Sequence, residues 1–239
     1  MHALFANGIT PIIDFFFPPL CFSCNNRLTD EESRVCHACW QSIEKIHPGD
    51  HTMRIMRERF LEDGSIDDFT SCYYFQEGGV FQRLVHSLKY EAVTKFGNEL
   101  GRHIATAMKM HTDVEEIDAL VPVPLHKLKQ RERGYNQSES LCRGIAEILH
   151  RPVELSVVMR KKYTISQTHL SADERNQNVG DAFEVVPSKT RLVRGKTFLI
   201  VDDVITTGST IQSVARTLKH AGAAKVIAAS AAIAKLESK

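Results

Sequence analysis

Two spacings of apolar residues alternate along this chain. Short continuous runs, Phe198 to Val201 and Val226 to Ala232 among them, have the length and β-rich composition of strands buried on both faces. Ala119 to Pro124, Phe69 to Phe75 and Val153 to Val158 read as further strands. Between them lie segments with three- and four-residue spacing. Val80, Leu84, Val85 and Leu88 mark a helix that starts after Gly78 and Gly79 and ends near Tyr90. Leu100, Ile104, Ala107 and Met108 mark another over Phe96 to Met110, and Ile211, Val214, Ala215 and Leu218 a third over Ser209 to Ala221. Ser138 to Leu149 is also expected as a helix. Strands alternating with helices require crossover connections, which predicts an α/β fold with a mainly parallel sheet. His47 to Asp68 is charged and poor in large apolar residues, so it is expected as a connecting helix or linker.

At 239 residues the chain can bury one α/β domain and carry a small module beside it. Its formal charge of +1 creates no global field toward nucleic acid or membrane. The apolar stretch Ile9 to Leu20 contains Pro11, Asp14, Pro18 and Pro19 and is too short to span a bilayer. It lacks a basic leading segment and a small-residue cleavage site, so no signal peptide and a cytoplasmic location are expected. Phe15, Phe16 and Phe17 are expected to pack the amino-terminal module onto the remainder, with a partner or membrane contact as the alternative.

The cysteines divide into a group of four and two that stand alone. Cys21, Cys24, Cys36 and Cys39 form two C-x-x-C knuckles separated by eleven residues, while Cys72 and Cys142 are isolated. Two such knuckles deliver four thiolates to one tetrahedral Zn²⁺. Disulfides are the alternative, and they suit an oxidising compartment that a chain without a secretion signal does not predict. A zinc here would be structural, because it leaves no open coordination position and supports a segment with little core of its own. His37, between the last two ligands, is expected to be exposed.

The run Thr197 to Thr210, TFLIVDDVITTGST, combines a buried strand, two adjacent carboxylates and a turn of small residues. Asp202 and Asp203 are expected at the carboxyl end of the strand, where open α/β sheets place their ligands. Thr206, Thr207, Gly208, Ser209 and Thr210 supply amides and hydroxyls immediately before a helix, an arrangement that attracts an anion such as a phosphate. The carboxylates repel a phosphate, so they are expected to accept hydrogen bonds from sugar hydroxyls or to reach a hydrated Mg²⁺. An ordinary strand-loop-helix junction, with Asp and Ser as turn and cap residues, is the alternative.

Two further segments carry chemistry. Lys127, Lys129, Arg131 and Arg133 alternate just beyond a strand end, and Asp118 to Lys162 holds nine Lys/Arg against five Asp/Glu. Guanidinium forks match phosphate oxygens, so this patch suits pyrophosphate or a nucleic acid backbone; a solvated charged loop is the alternative. Arg160 to Phe183 is too polar for core and too long for an ordinary connection, which predicts a lid or hood. Within it Lys161, Lys162, Gln167, Arg175 and Asn178 are candidate contacts.

The strand, acidic pair and Thr/Gly/Ser turn resemble the phosphoribosyl pyrophosphate (PRPP) loop of type I phosphoribosyltransferases. The four-cysteine module, LKY at Leu88 to Tyr90, VPVPLH with RERGYNQS, TISQTHLSADERNQNV and VDDVITTGST occur in the order seen in the ComF family of amidophosphoribosyltransferase-like competence proteins, and that resemblance covers nearly the whole chain. It implies a zinc ribbon over residues 1–47, a linker over 48–68 and a type I phosphoribosyltransferase fold over 69–239. By the same resemblance Asp202 and Asp203 hold the ribose hydroxyls and are the catalytic candidates, Thr206 to Thr210 hold the 5′-phosphate, and PRPP binds with Mg²⁺. The family implies a role in natural transformation at the inner face of the cytoplasmic membrane, with single-stranded DNA and a competence helicase or recombination-loading proteins as partners. Two function classes follow: a PRPP-binding protein that handles imported DNA, and a transferase that joins a base or amine to ribose 5-phosphate.

Overall fold

The computed structural model describes residues 18–47, 49–90, 94–161 and 182–235, without the side chains of residues 88–90. In chain order it contains α1 (His37–Ser42), α2 (His51–Asp63), β1 (Asp68–Phe75), α3 (Val80–Tyr90), α4 (Thr94–Met108) and β2 (Ala119–Pro122). There follow α5 (Lys127–Arg133), α6 (Gln137–Leu149), β3 (Val158–Arg160), β4 (Phe183–Val185), α7 (Thr190–Val193), β5 (Thr197–Ile205), α8 (Ser209–His220) and β6 (Lys225–Ala234). β1, β6, β5 and β2 lie side by side in that order and run parallel. The chain therefore lays down both edges first and fills the centre last.

Side chains alternate across this sheet with the period of two that strands impose. On β5, Leu199 and Val201 join the core layer containing α3, α4 and α6, while Phe198 and Ile200 join the layer containing α2, α8 and the β3–β4 pair. The first layer also takes in Cys21, Leu28, Val35, Cys36, Cys39 and Ile43, so the cysteine module packs on the same core as the sheet. Trp40 sits at that junction, with ring centroids 5.1 Å from His103, 5.8 Å from Phe96 and 6.0 Å from Tyr73. Phe15, Phe16 and Phe17 lie outside the described residues.

Two segments differ from their sequence reading. Val153 to Val158 is not one strand: Val153 makes an isolated parallel bridge to Leu120, and the chain turns before β3 pairs antiparallel with β4. The outer edge of β2 takes a bond from Leu120 N–H to Pro152 and one from Glu154 N–H, after which Leu155 and Ser156 turn away. The segment read as a connecting helix or linker does hold a helix, α2, but it is no mere connection: its Met53, Met56 and Phe60 are buried in the second core layer. Asp50 caps it, accepting from Thr52 N–H at 2.9 Å and Met53 N–H at 3.4 Å, and Gly64 ends it in the left-handed region at φ +70°.

α4 and α6 cross at a distance only glycine allows. A Cβ at Gly97 would lie 2.4 Å from Ser140 Oγ, one at Gly101 2.2 Å from the Leu141 carbonyl, and one at Gly144 2.0 Å from the Asn98 carbonyl. For the last two the clash is with backbone, which cannot swing aside as a side chain can. Gly144→Ala is expected to cost about 1–3 kcal/mol, the usual penalty for overpacking. Thermal unfolding followed by circular dichroism should show a fall of about 2–12 °C in Tm, with the fold retained.

Candidate functional site

The site begins where β2 stops and β5 continues. Leu120 turns its N–H and C=O outward, so Pro122, two residues on, turns its nitrogen outward as well, where its missing N–H costs no bond to β5. Pairing with β5 ends with Pro122 opposite Val201 and a 2.9 Å bond from Val123 N–H to the Val201 carbonyl. β6 goes on pairing as far as Ile205, opposite Ile233. Asp202 and Asp203 are thus strand residues, not residues beyond the strand, and they lie on a stretch of β5 that has a neighbour on the β6 side alone. Both are half-buried.

Asn136 shapes the opening. Its Nδ2–H donates to the Val123 carbonyl at 3.0 Å, and its Oδ1 accepts from Ser138 N–H at 3.1 Å, so one side chain ties the departing strand to the start of α6. Ser138 Oγ donates to Asp202 Oδ1 at 3.2 Å. Next to it Gln137 is 2% exposed, its Oε1 accepts from Arg133 at 3.2 Å, and its buried Nε2–H donor has no partner among the described residues. Arg160, at the end of β3, stacks its guanidinium 5.3 Å from the Phe183 ring centroid. Burial lowers Arg160 from its usual value, and the nearby charge of Asp202 pulls it back up. Ser138, Gln137 and Arg160 were not among the expected site residues, although RERGYNQS contains the first two and Arg160 begins the RKK run.

The turn after β5 is built around Gly208. It adopts φ +80°, and an added Cβ would lie 2.7 Å from the Phe60 ring and 3.2 Å from the Met56 methyl. α2 is therefore the floor of this loop. Thr206 and Thr207 are exposed, and Ser209 and Thr210 are half-buried. Thr207 Oγ1 lies 2.9 Å from Ser209 Oγ and accepts from Ser209 N–H at 3.4 Å, so the hydroxyls gather at the amino end of α8.

The alternating basic residues divide between two faces of a helix. Lys127 to Arg133 is helical, so Lys127 and Arg131 share one face and Lys129 and Arg133 lie about 200° around from it. The first pair is exposed and the second half-buried. His126 caps this helix and Gly134 ends it at φ +78°. Because α5 follows the carboxyl end of β2, it stands at the same end of the sheet as Asp202. Lys161 pairs with Glu184 at the base of the β3–β4 hairpin. Lys162, Gln167, Arg175 and Asn178 lie outside the described residues, as does most of the expected hood.

At the amino-terminal module the Sγ atoms of Cys21, Cys24, Cys36 and Cys39 all lie within 4.8 Å of one another. Cys24 Sγ and Cys36 Sγ are 3.7 Å apart, close to the edge of about 3.8 Å that a tetrahedron of Zn–S bonds of about 2.3 Å requires. Burial raises the Cys21 thiol, but backbone N–H donors led by Cys36 outweigh it and bring it down to about 6. The donor set is all sulfur and the geometry closed, which fits a structural zinc. His37 is exposed and pairs with Gln41 at 2.7 Å, apart from the cluster.

Comparison with known proteins finds relatives of both parts. The double zinc ribbon domain family matches residues 12–50, and the phosphoribosyl transferase domain family matches residues 136–239. Competence protein F of Haemophilus influenzae is 27% identical over 88% of this chain and 95% of its own length. DNA utilization protein YhgH of Escherichia coli K12 is 35% identical over 60% of this chain and 63% of its own length. Competence protein ComFC of Bacillus subtilis is 23% identical over 86% of this chain and 80% of its own length. With its four-thiolate ribbon packed on an α/β phosphoribosyltransferase domain, this chain is a homologue of competence protein F, ComFC and YhgH.

Proposed function

We propose that this protein binds PRPP with Mg²⁺ at the β5–α8 loop and handles imported single-stranded DNA in natural competence, on the cytoplasmic side of the membrane. The observation that carries the reading is the juxtaposition of Asp202 and Asp203 with the loop of small residues over Phe60. One part of the site offers acceptors for ribose hydroxyls, the other offers amides and hydroxyls for a phosphate. Bound Mg²⁺ would neutralise charge between the pyrophosphate and these carboxylates, which are the hard oxygen donors it prefers. Arg160, Lys161 and the unpartnered Gln137 Nε2–H offer positive charge and a donor at the same opening. The names of the relatives, competence protein and DNA utilization protein, favour DNA as the biological context. No helix among the described residues is long and apolar enough to cross a membrane.

A second reading rests on the phosphoribosyl transferase domain match: transfer of ribose 5-phosphate to a base or amine with release of pyrophosphate. In that case Asp202 and Asp203 would position the sugar while basic side chains stabilise the leaving group. Pyrophosphate release that requires an added base or ammonia separates this reading from binding alone.

Calorimetric titration of the zinc-loaded chain with PRPP and Mg²⁺ tests the site. The native protein should bind, and the Asp202→Ala, Asp203→Ala variant should bind at least about 100-fold more weakly, since each lost charge-assisted bond is worth about 1.5–3 kcal/mol. Absence of binding by the folded native chain would overturn the PRPP reading.

DNA handling is tested by titrating a fluorescent single-stranded oligonucleotide at several salt concentrations. Lys127→Ala with Arg131→Ala should weaken binding and reduce the slope of log K against log salt by about 1.4, the loss of two phosphate contacts on a single strand. Lys129→Ala with Arg133→Ala should have the smaller effect, because that face is half-buried. Binding that ignores salt would remove DNA from the proposal.

A further inference from the structure

A cavity apart from this site lies on the opposite edge of the sheet from β2. It is a cleft of about 600 Å³, walled by the middle of β1, by Lys45 to His47 and Gly49, and by the carboxyl end of α4 with Met110 and His111 beyond it, together with Met53 and Arg57 of α2. None of the β5–α8 loop residues lines it.

Its chemistry is one-sided. Lys45, His47, Arg57, His103 and His111 line the cleft, and no carboxylate does among the described residues. Arg57 is partly spoken for, since its Nε–H donates to the Phe69 carbonyl at 2.9 Å and lies 3.6 Å from Asp68. Lys45 is exposed and has no ion pair among the described residues. Ile46, Met53 and Met110 supply apolar surface, and Met110 is 70% exposed. A cleft of this size, mostly apolar with a few convergent polar groups, is the form that small-molecule sites take.

Thr70 is the independent sign that something belongs there. It lines the cleft, is 4% exposed, and its buried hydroxyl has no hydrogen-bond partner among the described residues. A buried hydroxyl left unpaired destabilises the fold that contains it. Valine has the same shape without the hydroxyl, so the oxygen is retained at a cost that packing does not explain. Rotation of this hydroxyl toward the cleft would let a ligand group satisfy it.

We propose that this cleft binds a small organic anion with an aromatic or apolar body, with Lys45 meeting the anionic head and the Thr70 hydroxyl making a hydrogen bond to the ligand. The site does not depend on PRPP. It requires cationic and apolar walls together, which separates it from a simple phosphate site and from a neutral hydrophobic groove.

The test uses the full zinc-loaded chain and two fluorescent probes with the same aromatic body, 1-anilinonaphthalene-8-sulfonate and its uncharged analogue N-phenyl-1-naphthylamine. Lys45→Glu should weaken the sulfonate about ten-fold and leave the uncharged probe unchanged. Ala107→Trp, which fills the cleft, should abolish binding of both. Thr70→Val should weaken the sulfonate a few-fold while the Tm of the free protein stays the same or rises, the opposite of what a purely structural hydroxyl would show. Asp202→Ala with Asp203→Ala should change none of these, so failure here and failure of the PRPP site are distinguishable. Adenosine monophosphate and salicylate as competitors separate a phosphorylated from a carboxylated ligand. Sulfonate binding that survives Ala107→Trp, an equal loss of both probes in Lys45→Glu, or displacement by neither competitor would overturn the proposal.

Discussion

The arrangement at the carboxyl end of this sheet depends on one inequality of length: β5 and β6 run on after β2 has stopped. β2 stops at Pro122, and Val123 N–H makes the last bond to β5, at the Val201 carbonyl. Val201 is the last β5 residue held from both sides, and the next two are aspartates. Carboxylates on a strand paired on both sides in the middle of a core would have to be neutralised or matched. Here they begin at the first position where the neighbour is gone. Asn136 then holds the departing chain, and Ser138 reaches Asp202 from the start of α6. The polar site is a consequence of where the apolar sheet runs out.

Above and below that site the packing depends on small residues. β6 carries Ala228, Ala229, Ala231 and Ala232 through the centre of the sheet, all of them at most 1% exposed. Small side chains there let layers approach on both faces without overpacking. Gly97, Gly101 and Gly144 do the same between α4 and α6, and Gly208 does it over Phe60. Aromatic rings fill the space at the margins: Phe60 meets Phe69 edge-on at 5.2 Å, and Trp40 joins the cysteine module to α4 and β1. The zinc ribbon is thus continuous with the main core instead of hanging from it.

Elements whose burial is simple were legible in the sequence. β5 and β6 are continuous apolar runs because both faces are covered, and α4, α6 and α8 carry their apolar stripes at helical spacing. The burial of α2 was not legible, because Met53, Met56 and Phe60 are separated by Arg54, Arg57, Glu58 and Arg59, and the charges mask a narrow apolar face. The basic run over Lys127 to Arg133 showed in the sequence only as alternating charges beyond a strand end, while Gly134 and the His126 cap make it one short helix. At the site, the acidic pair and the Thr/Gly/Ser turn announce themselves by composition. Ser138 and Arg160 do not: a serine in an N-cap region and an arginine before two lysines have ordinary local roles, and only the tertiary fold brings them to Asp202.

The alanines of β6 raise a problem of register that the structure answers. Four nearly identical side chains give β1 little shape to recognise, so sliding by one residue would cost little in packing alone. Ser230 breaks the monotony. It is fully buried opposite Ser71 on β1, and its Oγ donates to Ser71 Oγ at 3.0 Å. A one-residue slip would leave two buried hydroxyls unpaired, a cost of about 1–3 kcal/mol for each. On its other side Ser230 lies opposite Asp202. One residue of the central strand therefore stands level with the acidic pair and with the edge of β1, two strand spacings or about 10 Å away. The register that the two serines specify is what puts Asp202 level with the wall of the outer cleft.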